Sequence, residues 1–278
     1  MNNLKRTAAI LSVPLVLVIS MLVYSFAIER YLVEYHEIPV EVEGLPAEFQ
    51  DFRIMVISDL HAGSLMPRSW VERVIDAAQA QHKDAIFLLG DYVHARDTRK
   101  ELDMVYPLLS KLSAPDGVYA VNGNHDHWAD HGYALTLLVQ SGRAIEHGVR
   151  VIRRGDAHIA VAGLGDYTED RYGIDSVGGI PEGQVLIVLA HNPDSTEIGH
   201  SRRVSLFVCG HTHGGQVRIP LKDYAPVIPV IHRELDAGIR KNSRGETVFI
   251  SRGIGWAVLP FRFNCRPEIP VLVLKRKG

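Results

Sequence analysis

Val56-Ile57-Ser58-Asp59-Leu60-His61 closes a run of β-favouring apolar residues that begins at Ile54, and it breaks off in two side chains able to bind a metal, one residue apart. The pattern is a strand with chemistry at its tip. In open α/β sheets ligands sit beyond the carboxyl ends of the strands, so Asp59 and His61 are placed where a reaction centre belongs. The arrangement recurs four times. Phe87-Leu88-Leu89 runs into Gly90-Asp91, Val118 to Val121 into Asn122-Gly123-Asn124-His125-Asp126, Leu186 to Ala190 into His191-Asn192-Pro193, and Val204 to Cys209 into Gly210-His211-Thr212-His213. Five strand ends are expected to converge on one polar cluster.

Between these tips the chain alternates strands with helical patterns. Residues 67–81 carry Trp70, Val71, Val74, Ile75 and Ala78 at helical spacing behind Pro67. A strand at 85–89, a helix at 98–112, a strand at 117–121 and a helix at 132–139 complete a βαβαβα series. Such a series predicts a parallel sheet with right-handed crossovers and helices packed against it. Strand patterns then dominate, at 149–152, 158–163, 184–189, 204–208, 215–219, 247–250 and 269–274, and predict a second sheet. Gly163-Leu164-Gly165 lacks the third glycine and the following helix of a dinucleotide loop.

With 278 residues and 46% hydrophobic composition the chain can bury a full core, and a net charge of −2 excludes nucleic acid held by a global basic field. Cys209 and Cys265 cannot form a disulfide framework. Residues 7–28 are uncharged and mostly apolar; as a helix they reach about 33 Å, enough to cross a hydrocarbon core of about 30 Å. Lys5 and Arg6 precede this run while Glu29 and Arg30 nearly cancel after it, so the positive-inside rule leaves the N-terminus in the cytoplasm and the domain outside. A cleaved signal peptide is the rival reading, because Ser25-Phe26-Ala27 resembles a cleavage site; the length of the apolar run favours an uncleaved anchor. The expected division is a membrane anchor at 1–30, a tether and first strand at 31–52, and a catalytic domain at 53–278, with 38–42 alternating as an edge strand.

Asp59, His61, Asp91, Asn124, His191, His211 and His213 offer two carboxylates, one amide oxygen and four imidazoles. A lone Asp or His at a strand end is ordinarily a cap or turn residue. Seven of them in the order Asp-x-His, Gly-Asp, Gly-Asn-His-Asp, His and Gly-His-x-His, each behind an apolar strand, do not arise from packing. Mixed nitrogen and oxygen donors suit two divalent ions of manganese, iron or zinc, whereas calcium prefers oxygen alone. Gly90, Gly123 and Gly210 precede the donors, where a missing Cβ permits a sharp turn and close approach.

In these motifs the chain resembles the calcineurin-like metallophosphoesterase superfamily, from about residue 53 to the C-terminus. More narrowly, Gly210 to Gln216 together with Arg252-Gly253, Pro260-Phe261-Arg262 and Pro267-Glu268 look like its membrane-associated, YkuE/YaeI-like bacterial phosphodiesterase branch. The resemblance implies a four-layer α/β/β/α sandwich. It implies Asp59, His61 and His213 as ligands of one metal, Asn124, His191 and His211 as ligands of the other, and Asp91 as the bridge. It makes His125 the catalytic histidine and Asp126 the catalytic acidic residue closing that motif. His94 departs from the pattern, standing where many relatives carry a second aspartate.

The expected function is therefore a metal-dependent phosphoesterase cleaving phosphodiester bonds, lipid-linked or pyrophosphate bonds included, by a bridging hydroxide on a dinuclear centre. The expected setting is the bacterial inner membrane, single-pass, with a periplasmic catalytic domain and a phosphodiester or phospholipid-type substrate. Two alternatives stand beside it. A UDP-2,3-diacylglucosamine pyrophosphatase role would need a cytoplasmic domain, and a non-catalytic scaffold of the same fold would have no need of His125 or a complete donor set. Trp256, Leu259, Phe261 and Phe263, clustered with Arg252, Arg262 and Arg266, read either as core and surface or as an apolar groove with a basic rim. His127 and His131 are expected in a solvated loop near the site.

Overall fold

The computed structural model describes residues 2–64, 66–170, 174–220, 222 and 224–277, with side chains described for those from Pro14 onward except 174–176. The chain opens with helix α1 (Asn2–Ala27) and a short 3₁₀ turn at Glu29–Tyr31. It continues through β1 (Glu34–Val42), β2 (Arg53–Ile57), α2 (Arg68–Gln79), β3 (Ala85–Leu88), α3 (Lys100–Leu109), β4 (Val118–Ala120) and α4 (Asn124–Gln140). The second half holds β5 (Gly148–Arg154), β6 (Ala157–Gly163), β7 (Leu186–Ala190), β8 (Leu206–Cys209), β9 (Gly238–Lys241), β10 (Thr247–Ile250) and β11 (Glu268–Arg276).

Two mixed sheets result, ordered β1-β11-β2-β3-β4 and β5-β6-β7-β8-β10-β9. The βαβαβ series is parallel through β2, β3 and β4, as its alternation predicts, but β11 joins β2 antiparallel and makes the first sheet mixed. β1 lies on the sheet edge, parallel to β11 along its whole length. In the second sheet β6, β7, β8 and β10 are parallel, with antiparallel β5 and β9 at its edges.

Period-two alternation explains how the layers pack. In β2, Met55 and Ile57 face α2, α3 and α4, while Ile54 and Val56 face the second sheet. In β7, Ile187 and Leu189 point inward and Leu186, Val188 and Ala190 outward. Both faces of these strands are buried, so they read in sequence as continuous apolar runs. Full burial of each Val, Leu, Ile or Phe contributes about 1.5–3 kcal/mol, and this shared interior is what fixes the two sheets against one another.

Several expectations need correction. The outer face of the second sheet, Phe207 and Val248 among it, is covered by Val177, Ile180 and Leu235 from 3₁₀ and irregular segments; no α-helix forms that fourth layer among the described residues. The strand expected at 215–219 is a loop, because Gly214, Gly215 and Gln216 take positive φ and leave only isolated bridges at Val217 and Ile219. β9 was not expected. The helix expected at 132–139 starts eight residues earlier, at Asn124, and kinks at Asp130.

Helix α1 is apolar, and Leu15, Val16, Leu17, Leu22 and Val23 are each more than half exposed. Its exit is fastened to the domain: Glu29 is buried and accepts a hydrogen bond from Cys265 N at 2.7 Å, and Arg30 Nη1 donates to Pro260 O at 2.7 Å.

Candidate metal centre

The tips of β2, β3, β7 and β8 and the first turn of α4 meet at one point. Adjacent tips are stitched by backbone hydrogen bonds, from Asp59 N to Gly90 O, His61 N to Asp91 O and Gly210 N to His191 O. His211 N donates across the two sheets to Asp59 Oδ1 at 3.0 Å. Close approach requires the glycines: a Cβ at Gly210 would strike Ser58 and Asp59, and one at Gly123 would strike Asp91 Oδ1 and His191.

Five of the seven expected donors hold a left-handed backbone that sequence reading did not anticipate. Asp59, His61, Asp91, His211 and His213 have φ of 55°, 46°, 53°, 68° and 53°. Asp and His tolerate this region better than most residues, yet each still carries strain of roughly 1 kcal/mol or more. Strain concentrated on one set of inward-facing side chains marks a site rather than a fold element.

The side chains form two clusters that share Asp91. In the first, Asp59, His61 and His213 gather, with His61 Nε2 3.0 Å from His213 Nε2 and His213 Nε2 3.6 Å from Asp59 Oδ1. In the second, Asp91, His191 and His211 gather, with His191 Nε2 3.1 Å from His211 Nδ1 and 3.2 Å from Asn124 Oδ1. Asp91 Oδ2 lies 3.5 Å from His61 Nε2 and 3.3 Å from His191 Nε2, between the two. Its other oxygen accepts from His125 N at 2.8 Å, at the positive end of α4.

Hydrogen bonds select which ring nitrogen faces inward. His191 Nδ1 donates to Leu89 O at 2.7 Å and His211 Nε2 to Pro229 O at 3.1 Å, so that His191 Nε2 and His211 Nδ1 are the nitrogens that meet in the cluster. Burial holds His61 and His213 well below the usual histidine range and His211 down to about 4, so these rings are neutral donors. Asp91 would be raised by burial alone, but His191 and His61 beside it hold it well below the carboxylate range; burial lifts Asp59 to about 6. His191 would be lowered by burial, yet Asp91 lifts it to about 10. Ring nitrogens crowded within about 3 Å of one another beside carboxylates fit a pair of divalent cations, which would require His191 in its neutral form.

His125 is half-buried at the rim, its ring centroid 4.5 Å from that of His61. Its Nδ1 donates to His94 O at 2.9 Å, which leaves Nε2 as the nitrogen available to a reacting group. The backbone of His94 thus orients His125, and the His94 ring stacks on it at 5.4 Å. Asp126, expected to be catalytic, is corrected to a positioning residue. It is fully buried, and its two oxygens accept from Asp91 N, Gly123 N, Tyr92 N and Val93 N, so none is left for a reacting group. His127 and His131 lie on α4 rather than in a loop, and His127 is buried with both ring nitrogens unpartnered.

Sequence reading missed two residues. Asp166 follows β6 as Gly165-Asp166, the same signal as Gly90-Asp91; it is 1% exposed, and its Oδ2 has no hydrogen-bond partner while its charge reaches His191 and His211. Arg262, read either as core and surface or as part of a basic rim, is fully buried, donating to Gly255 O, Arg252 O and Cys265 O and lying 3.4 Å from His213 Nδ1. Arg252 is likewise no free rim cation, because it pairs with Glu34 and Glu268.

Comparison with known proteins agrees with this geometry. Residues 52–215 match the family model of the calcineurin-like phosphoesterases. The chain is 29% identical over 259 residues to the uncharacterized metallophosphoesterase YkuE of Bacillus subtilis, covering 91% of this chain and 89% of that one. It is 33% identical over 230 residues to phosphodiesterase YaeI of Escherichia coli, covering 80% and 82%, and 28% identical over 255 residues to the transmembrane protein with metallophosphoesterase domain of Danio rerio, covering 86% and 57%. Among solved structures, a dimetal phosphatase from Danio rerio aligns at TM-score 0.45 and 12% identity over 74% of this chain and 88% of that one. With His/Asp clusters of metal-binding geometry at its strand tips and a family match over residues 52–215, this chain belongs to the calcineurin-like phosphoesterase family.

Proposed function

We propose that this protein is a membrane-anchored phosphodiesterase in which Asp59, His61 and His213 hold one divalent cation, Asn124, His191 and His211 hold a second, and Asp91 is ligand to both. The observation that carries this reading is the place of Asp91 Oδ2, within 3.5 Å of one nitrogen from each cluster. Bound cations would supply the positive charge that clamps phosphoryl oxygens and lowers the pKa of water.

The protein's own residues do the rest. Asp91 is fixed by His125 N and the α4 terminus, and Asp126 braces the same turn through backbone N–H groups. His125, its Nδ1 tied to His94 O, presents Nε2 to the leaving oxygen. As water oxygen joins phosphorus and gives up one proton to solvent, the ester P–O bond breaks and a proton from His125 neutralises the departing alkoxide; solvent then reprotonates His125. Burial of Asp59, His61, Asp91, His191 and His213 keeps the electrostatics of the centre strong.

The anchor is α1, supported by its apolar length and exposed side chains and by a curated relative whose name is that of a transmembrane protein. The positive-inside rule places the domain outside the cytoplasm. A C-terminal reporter fusion tests this: activity of a periplasmic reporter is expected, and a cytoplasmic signal sinks the assignment. Hydrolysis is tested with bis-p-nitrophenyl phosphate and manganese. Turnover is expected in the wild type and its loss in Asp91→Ala; equal turnover in both contradicts the role given to Asp91.

A further inference from the structure

The loops that complete the centre also carry the three most exposed large apolar side chains described in the globular part, with Leu259 beside them, and they do so next to the anchor helix. Val258 is 86% exposed, Val227 73%, Ile231 69% and Leu259 53%. Gln216 joins the two loops concerned. Its Nε2 donates to Leu259 O at 3.1 Å and its Oε1 accepts from Ala257 N at 2.7 Å, while the adjacent Gly215 packs against Ala225 and Val227.

One loop reaches the centre and the other reaches α1. Pro229 O accepts from His211 Nε2, so the loop bearing Val227 and Ile231 forms a wall of the site. On the second loop, Phe261 stacks on Phe26 at 6.1 Å, Pro260 O accepts from Arg30, and Arg262 N donates to Ser25 O at 3.3 Å. Tyr24 of α1 and Pro220 line one cleft of about 360 Å³ with Arg266. Tyr and Trp at the end of a spanning helix sit at headgroup depth; Tyr24 stands at that end of α1, and Phe261 packs beside it on Phe26. Lys222 and Arg233 are exposed on the loop bearing Val227 and Ile231, where cations attract anionic headgroups. Scattered exposed apolar residues are ordinary, but four on linked loops continuous with a membrane helix form an interfacial surface.

We propose that Val227, Ile231, Val258 and Leu259 form an apolar rim that enters the headgroup layer of the bilayer spanned by α1, so that the centre opens onto phosphodiesters carried by that membrane. This rests on the hydrolase and anchor reading above. The test uses the full-length protein in nanodiscs containing phosphatidylglycerol. Cys209 and Cys265 are buried, so Val227→Cys and Val258→Cys take a fluorescent label selectively, with Val151→Cys on β5 as control. Lipids spin-labelled near the headgroup are expected to quench the first two at least threefold more than the control; equal quenching at all three overturns the rim. In parallel, Val227→Glu/Val258→Glu is expected to lower kcat/KM for a p-nitrophenyl diester of phosphatidic acid in the same discs at least fivefold more than for bis-p-nitrophenyl phosphate. Equal losses on both substrates overturn membrane presentation. Wild-type turnover of the soluble diester reports the hydrolase reading separately from either result.

Discussion

The interiors and the tips of the same strands obey opposite rules. Within β2 every side chain from Ile54 to Ile57 is fully buried and apolar; two residues further on, Asp59 turns to a φ of 55° and His61 to 46°. In β8, Leu206 to Cys209 are fully buried, and then His211 and His213 turn left-handed. The interiors gain free energy from every side chain they bury, whereas the tips hold carboxylates and imidazoles in costly backbone and poor solvation. The contrast teaches that the double sandwich acts as a clamp: its surplus stability keeps five of the seven expected donors in a backbone geometry that none would choose alone.

The sharpest break between tip and interior is Asp91→Ala. It should lower diester turnover on the order of 10³-fold while the midpoint of urea unfolding of the metal-free protein stays close to wild type. A large loss of stability would place Asp91 among the structural residues instead. The converse change, Phe249→Ala between the two sheets, should cost about 3–5 kcal/mol in urea unfolding and leave the activity of the folded fraction near normal. His125→Ala should lower kcat roughly 10²-fold with a smaller change in KM, and the deficit should shrink for leaving groups such as p-nitrophenol that need no proton.

Away from the centre, Glu268 is a buried carboxylate that obeys the interior's demand for pairing. Burial alone would raise its pKa, but hydrogen bonds from His36 and Arg252 and the Arg252 charge hold it below its ordinary value of 4.5. A group depressed in the folded state stabilises above its unfolded pKa and loses that contribution as pH falls through the folded one. Glu268→Gln should therefore cost about 2 kcal/mol at pH 7, and the difference from wild type should narrow below about pH 4.5. An unchanged difference at pH 3 would contradict the pairing. The smallest effect is a reversal of order: His61→Gly should be about 1 kcal/mol more stable than His61→Ala, although glycine ordinarily destabilises relative to alanine. The ordinary order at that position would mean that the tip is unstrained.

The interiors and most of the tips were legible in sequence because apolar runs ending in Gly-Asp, Asn-His-Asp or His-x-His carry both the period and the chemistry on adjacent residues. Asp166 shows the same Gly-Asp signal but stands three residues beyond the end of β6, with no apolar run leading directly into it. The early start of α4 was hidden because Asn124, His125 and Asp126 read as donors, not as a helix's first turn. Asp126 then proved to spend both oxygens on backbone N–H groups, which no spacing in sequence reveals. Arg262 is harder still. A guanidinium buried against carbonyl oxygens of five different residues depends on how the loop after β10 folds over His213, and only the tertiary structure supplies that. The loop at 215–219 failed for a local reason: three consecutive positive φ values outweigh the β-favouring Val217 and Ile219.

The most direct test of the shared-aspartate centre is anomalous scattering from crystals of the full-length protein grown with manganese. Two peaks about 3.5–4 Å apart on either side of the Asp91 carboxylate are the expected result. A single peak, or two peaks of which only one lies within bonding distance of Asp91, would contradict it.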